Sequence, residues 1–251
     1  MSEGLFDWRI ILVRPRNPLN IGAAARAMAN FGFERLAVVQ PYGPVWRETK
    51  SAVGAEGIVR TAREEGSLGE ALAEARLVVG TTSGQRRTPD RELISLDHLP
   101  AWLQHQARVG RRVKAALLFG SEKTGLSNES LSYCHALVRI PASARCPSMN
   151  LGQAVAVCCY ELARTGRQAA CSPDPSVTKT HVSPPASIQS LDHIFMRAIQ
   201  VLEGAGYLKP KSRDAQTVKL RRLLMEQRLS SHDAKILGGV LAQVAWRFDH
   251  P

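Results

Sequence analysis

Short apolar runs rich in β-branched residues recur through the first 140 positions, at 9–13, 36–39, 77–80, 115–119 and 137–140. Stretches with helical spacing separate them. Residues 21–31 are Ala-rich with Asn20 placed to cap them, 68–75 alternate Ala, Leu and Glu, and 96–108 repeat apolar residues at helical intervals. Strands that alternate with helices predict an α/β fold, a parallel sheet with helices on both faces, because each crossover helix must return over the sheet.

A further helix is expected over 150–164. The composition then changes: residues 166–187 are rich in Ser, Pro and Thr and lack apolar periodicity, which predicts a flexible linker. Beyond it, 188–204, 214–229 and 232–248 each read as helices, with Ile194, Phe195, Ile199 and Leu202 spaced along the first. The expected organisation is therefore an α/β domain over 1–165, a linker over 166–187 and a small all-helical C-terminal extension over 188–251.

Composition narrows the partners. The 251 residues carry a formal charge of +11, so the surface should attract polyanions, nucleic acid first among them. No apolar run approaches the roughly 18–20 residues of a membrane span, and the first ten residues lack a basic flank followed by an apolar stretch. A cytoplasmic protein with no membrane association is expected. The five cysteines show no C-x-x-C spacing and the histidines do not cluster with acids, so neither a disulfide framework nor a metal site is expected.

Three polar segments follow strands and open helices. The first is Asn17-Pro-Leu-Asn-Ile-Gly-Ala-Ala-Ala-Arg-Ala-Met28, where small residues permit close backbone approach and Arg26 lies near the mouth of the preceding strand. The second is Leu118-Phe-Gly-Ser-Glu-Lys-Thr-Gly-Leu-Ser-Asn-Glu129. Its glycines suggest a phosphate loop, but Leu126 and Ser127 stand where Lys and Ser or Thr are required. The third runs from Ile140 to Val155, with Ser148 or Asn150 placed to cap a helix. Thr81-Thr-Ser-Gly84 ends another strand, so several loops converge on one edge of the sheet, the usual ligand position in open α/β folds. The absence of G-x-G-x-x-G and G-x-S-x-G argues against ordinary dinucleotide binding and the common serine hydrolases.

Taken in order, Asn20-Ile-Gly-Ala-Ala-Ala-Arg26, Phe119-Gly-Ser-Glu-x-x-Gly-Leu126 and Ile140-Pro with Ser148-Met-Asn-Leu151 resemble the signature motifs of the SPOUT methyltransferases, in their RNA ribose 2′-O branch. The resemblance covers roughly residues 5–165; Ser121 and Pro147 depart from the usual pattern. It implies a deep trefoil knot near the end of the catalytic domain and S-adenosyl-L-methionine as methyl donor. The donor would be held by Thr81, Thr82, Ser83, Gly120, Glu122, Ile140, Pro147, Ser148 and Met149. It further implies an obligate homodimer in which Arg26 acts in trans, with Asn20 and Ser148 as its catalytic companions.

The linker and helical extension resemble bacterial enzymes that methylate the tRNA pyrimidine at position 32 of the anticodon loop. Lys211, Arg213, Lys219, Arg221 and Arg222 form the candidate RNA-binding surface, to be weighed equally against a solvated helix face. An rRNA substrate, base methylation and a non-catalytic RNA-binding protein of the same fold stay open. So does the role of Arg26, either proton acceptor or grip on a neighbouring phosphate, since guanidinium groups release protons reluctantly.

Overall fold

The apolar runs form the interior of one seven-stranded sheet in which every neighbouring pair is parallel. The computed structural model describes residues 5–83, 92–106, 112–170 and 183–249. In chain order the strands are β1 (Phe6–Val13), β2 (Leu36–Val39), β3 (Arg63–Glu65), β4 (Leu77–Thr81), β5 (Leu93–Ser95), β6 (Val113–Phe119) and β7 (Ala136–Arg139); across the sheet they run β3-β2-β1-β6-β4-β7-β5. The expected strands are all present. The additional β3 and β5 are the three-residue edges, where pairing on one side tolerates a charged run such as Arg63-Glu-Glu65 that carries no apolar signal.

Side chains alternate between two cores. Ile10, Leu12, Val38, Val79, Leu117, Phe119 and Val138 pack on α1 (Pro18–Asn30), α2 (Glu56–Thr61), α4 (Leu99–Gln106) and α6 (Leu151–Ala170). Ile11, Val13, Ala37, Val39, Val78, Ala116, Leu118 and Leu137 point the other way, towards α3 (Leu68–Leu72), α5 (Asn128–Ser132), α7 (Ile188–Gly204), α8 (Arg213–Glu226) and α9 (Ser231–Asp249). Continuous apolar strands with both faces covered are what a parallel sheet requires.

Helix starts differ from the sequence expectation in a way that matters for the site. The cap of α1 is Asn17, whose Oδ1 accepts from the Leu19 N–H at 2.9 Å, and Pro18 follows where no N–H is needed. Asn20 is thereby released from capping. At α6 the cap is Asn150 and not Ser148: its Oδ1 accepts from the Gly152 and Gln153 amides at 2.9 and 3.4 Å. The two helices touch closely, since a Cβ on Gly152 would lie 2.7 Å from that of Ala23. Helix α6 also continues to Ala170, inside the segment expected as linker; residues 171–182 lie outside the described residues.

The C-terminal helices share the second core with the sheet and do not stand apart from it. Ile188, Leu191 and Ile194 are buried against it, each contributing about 1.5–3 kcal/mol of apolar burial. The first amides of α7 donate to carbonyls in the turn just after α3, Ile188 to Ala75 at 2.9 Å and Gln189 to Ala73 at 3.2 Å. Arg76 donates to the Pro185 carbonyl and to Ser231 Oγ.

Arg221 of α8 is part of this dock, which corrects its assignment to an RNA-facing surface. Its side chain is 14% exposed, its guanidinium lies 4.2 Å from the ring centres of both Tyr133 and Phe195, and its Nε is 3.6 Å from Asp192 Oδ1. Burial raises the Asp192 carboxyl above its ordinary range against the attraction of Arg221 and His193. Arg221→Ala should lower the unfolding free energy by about 2–4 kcal/mol, through two lost ring contacts and an unpaired half-buried carboxylate. Urea denaturation measures this, and adding Asp192→Asn to that variant should recover part of the loss.

Candidate active site

The C-terminal ends of β4, β6 and β7 lie side by side, with Gly80 opposite Leu118 and Thr81 opposite Val138. Two bonds pin them together: Thr81 Oγ1 donates to the Leu118 carbonyl at 2.8 Å, and the Thr82 amide donates to the Val138 carbonyl at 3.0 Å. Gly120 then begins a tight loop closed by the Gly125 N–H on the Ser121 carbonyl at 2.7 Å. A Cβ on Gly120 would sit 2.1 Å from the Gly125 carbonyl carbon, so any larger residue would force the loop open.

Glu122, on that loop, ties the first motif to the second. Its Oε2 accepts from the Arg16 amide at 2.9 Å, and its Oε1 from the Asn17 amide at 3.2 Å and from Asn20 Nδ2 at 2.8 Å. Asn20 Oδ1 in turn accepts from Asn150 Nδ2 at 2.9 Å, which joins the third motif. Partial burial works to raise the Glu122 carboxyl, but the hydrogen bonds from Asn20 and from backbone amides outweigh it and hold the group below its ordinary range. One anionic side chain and two amides thus fix three loops that are remote in sequence.

Of the residues singled out from sequence, Thr81 ends β4, and Thr82, Ser83, Gly120, Glu122, Ile140, Pro147, Ser148 and Met149 follow three adjacent strand ends; Asn20 joins them through the hydrogen-bonded tie. Ile140 and Pro147 are half-buried, whereas Ser148 and Met149 are exposed. Arg26 is exposed on α1 and makes no hydrogen bond or ion pair among the described residues. In the C-terminal helices Lys211 and Lys219 are exposed, Arg213 pairs with Glu203 at 2.7 Å and Arg222 with Glu226 at 3.3 Å, while Arg221 faces inward. Sequence reasoning missed the organising role of Asn17 and the contacts of Glu122. The Asn-Pro pair at 17–18 was the available signal for the cap; the bonds across more than a hundred residues left no local trace.

The family model described as the SpoU rRNA methylase family matches residues 7–160. Over nearly its whole length the chain is similar to two proteins named tRNA (cytidine/uridine-2′-O-)-methyltransferase TrmJ. With that of Sodalis glossinidius it is 34% identical over 96% of this chain and 92% of the relative, and with that of Klebsiella pneumoniae 33% identical over 94% and 95%. Among solved structures, the crystal structure of TrmJ from Z. mobilis ZM4 superposes with a TM-score of 0.80 at 27% identity, covering 95% of this chain and 99% of that one. With the motif order, the sheet and the near full-length likeness in agreement, the chain belongs to the SpoU methylase family.

Proposed function

We propose that this protein transfers a methyl group from S-adenosyl-L-methionine to the ribose 2′-hydroxyl of a cytidine or uridine in tRNA, at position 32 of the anticodon loop. It does so as a homodimer whose catalytic domain, residues 1–165, is closed by a trefoil knot. The observation that carries the reading is the Glu122–Asn20–Asn150 tie, which joins the first, second and third motifs at the edge where the three loops meet. Relatives named for tRNA are matched over the C-terminal helices as well as the sheet, which favours tRNA over rRNA. Intact Arg26, Asn20 and Asn150 favour an enzyme over a non-catalytic RNA-binding protein.

The loop from Ile140 to Asn150 suits a ligand held by main chain. Among the described residues the Ser148 and Met149 amides have no protein acceptor, and half-buried Ile140 provides an apolar wall. Thr81 to Ser83, Gly120 and Ile140 with Pro147 to Met149 are the residues to hold the methyl donor. When bound, the sulfonium supplies an activated methyl group and its own leaving group.

The chain's part is to place a weak nucleophile and manage its proton. Arg26 grips the phosphate beside the target ribose, so that this phosphate or a water receives the 2′-hydroxyl proton while Ser148 orients the ribose. An exposed guanidinium without a partner among the described residues suits a role across the dimer. The exposed Val157 and Tyr160 on the outer face of α6 suit burial in such a dimer. Lys211 and Lys219 offer the C-terminal helices a phosphate-binding surface.

The direct experiment is incubation with S-adenosylmethionine and unmodified tRNA transcripts, followed by digestion and mass spectrometry. Ribose-methylated cytidine or uridine from the anticodon loop is expected; a methylated base would overturn the ribose assignment. Arg26→Ala should abolish turnover and leave methyl-donor affinity, measured calorimetrically, within about twofold; equal loss of both would contradict its role.

Glu122→Gln should reduce kcat/KM by about 10- to 100-fold through weakened hydrogen bonds to the first motif. Because the Glu122 carboxyl is depressed in the folded state, its tie is present above the ordinary carboxylate range and is lost as pH falls through the depressed value. Single-turnover rates of the native enzyme should fall along that acid limb, and the glutamine variant should lack the component.

A further inference from the structure

We propose that Arg16 and Tyr42 form a stacking subsite for an unpaired nucleobase of the RNA substrate, beside the ribose-methylation site; this rests on the functional reading above. Tyr42 is 74% exposed, the most exposed large apolar or aromatic side chain among the described residues. The Arg16 guanidinium lies 4.9 Å from its ring centre. The pair is held in register with the site: the Tyr42 amide donates to the Pro15 carbonyl at 3.0 Å, and the next amides, of Arg16 and Asn17, donate to Glu122.

Comparison with the other arginine–aromatic pairs separates this one from ordinary surface stabilisation. Arg47 covers Trp46, but that indole is fully buried and both residues bond to Glu64. Arg228 covers Trp102 and lies 3.9 Å from Glu92. Arg221 has Asp192. The Arg16 guanidinium pairs with no carboxylate among the described residues, and its ring partner contributes almost nothing to a core.

An open tyrosine face flanked by a guanidinium with no carboxylate partner among the described residues matches the chemistry of single-stranded RNA: the base stacks on the ring and the adjoining phosphate meets the cation. The exposed Arg14, two residues earlier with φ +53°, adds positive charge on the same strand end. A base captured here would fix the register of the loop, and with it which ribose reaches Asn20 and Arg26.

The test uses the full chain and anticodon stem-loop RNAs in which 2-aminopurine is placed at each loop position in turn. The native protein, Tyr42→Trp and Tyr42→Leu are compared, with methyl transfer to tRNA by the native protein followed separately. At one loop position, quenching on binding is expected with the native and Trp proteins and not with Leu. The Leu variant should also show dissociation constants raised about five- to a hundredfold at unchanged methyl-donor affinity and unchanged melting temperature. Equal quenching in native and Leu proteins, absence of quenching at every position, or loss of methyl-donor affinity in step with RNA affinity would each overturn the subsite. Stacking without methyl transfer would instead count against the proposed reaction and leave the subsite standing.

Discussion

A parallel sheet of continuous apolar strands cannot leave either face in water. Here Ile10, Leu12 and Leu117 face one way and Ile11, Val13 and Leu118 the other, so two separate helix layers must be supplied. The first comes from α1, α2 and α4, interleaved with the strands, and from α6, which follows the last of them. The second is incomplete without α7, α8 and α9, which arrive from beyond residue 183. That requirement makes the C-terminal helices part of the core that supports the site, and it gives Arg221 its place: a cation held between the rings of Tyr133 and Phe195, bridging the sheet's own layer and the returning helices.

The same geometry gathers the polar loops at one edge. Parallel strands end together, so the loops after β4, β6 and β7 meet whatever their separation along the chain. Meeting is not sufficient for a working site, because loops at a sheet edge carry unsatisfied polar groups and can move. The carboxylate of Glu122 resolves both problems. It satisfies the two amides that lead into α1 and grips Asn20, while Asn150 completes the chain of bonds as it caps α6. Catalysis by placement of a weak nucleophile depends on this kind of rigidity.

Legibility in the sequence followed the range of the interactions. The central strands and the long helices were readable because burial on both faces writes apolar runs, and an amphipathic helix writes its own period. The edge strands β3 and β5 were not, since three residues paired on one side carry no such pattern. At the first motif, placing the cap at Asn20 was a local error with a distant consequence. With Asn17 as cap, Asn20 is free to bond Glu122, and the loop-bearing edge of the sheet gains its tie.

The sequence by itself determined the α/β class, the positions of the polar loops at strand ends and the family to which they point, because these depend on periodicity and on ordered local motifs. Tertiary structure alone decided that Glu122 and Asn150 converge on Asn20, that Arg221 turns inward while Lys211 and Lys219 stay in water, and that the C-terminal helices complete the sheet's second face. Each of these is a contact between residues far apart along the chain. It exists only once the sheet has set the distance, and a one-dimensional pattern has no means of recording which of several eligible partners that distance selects.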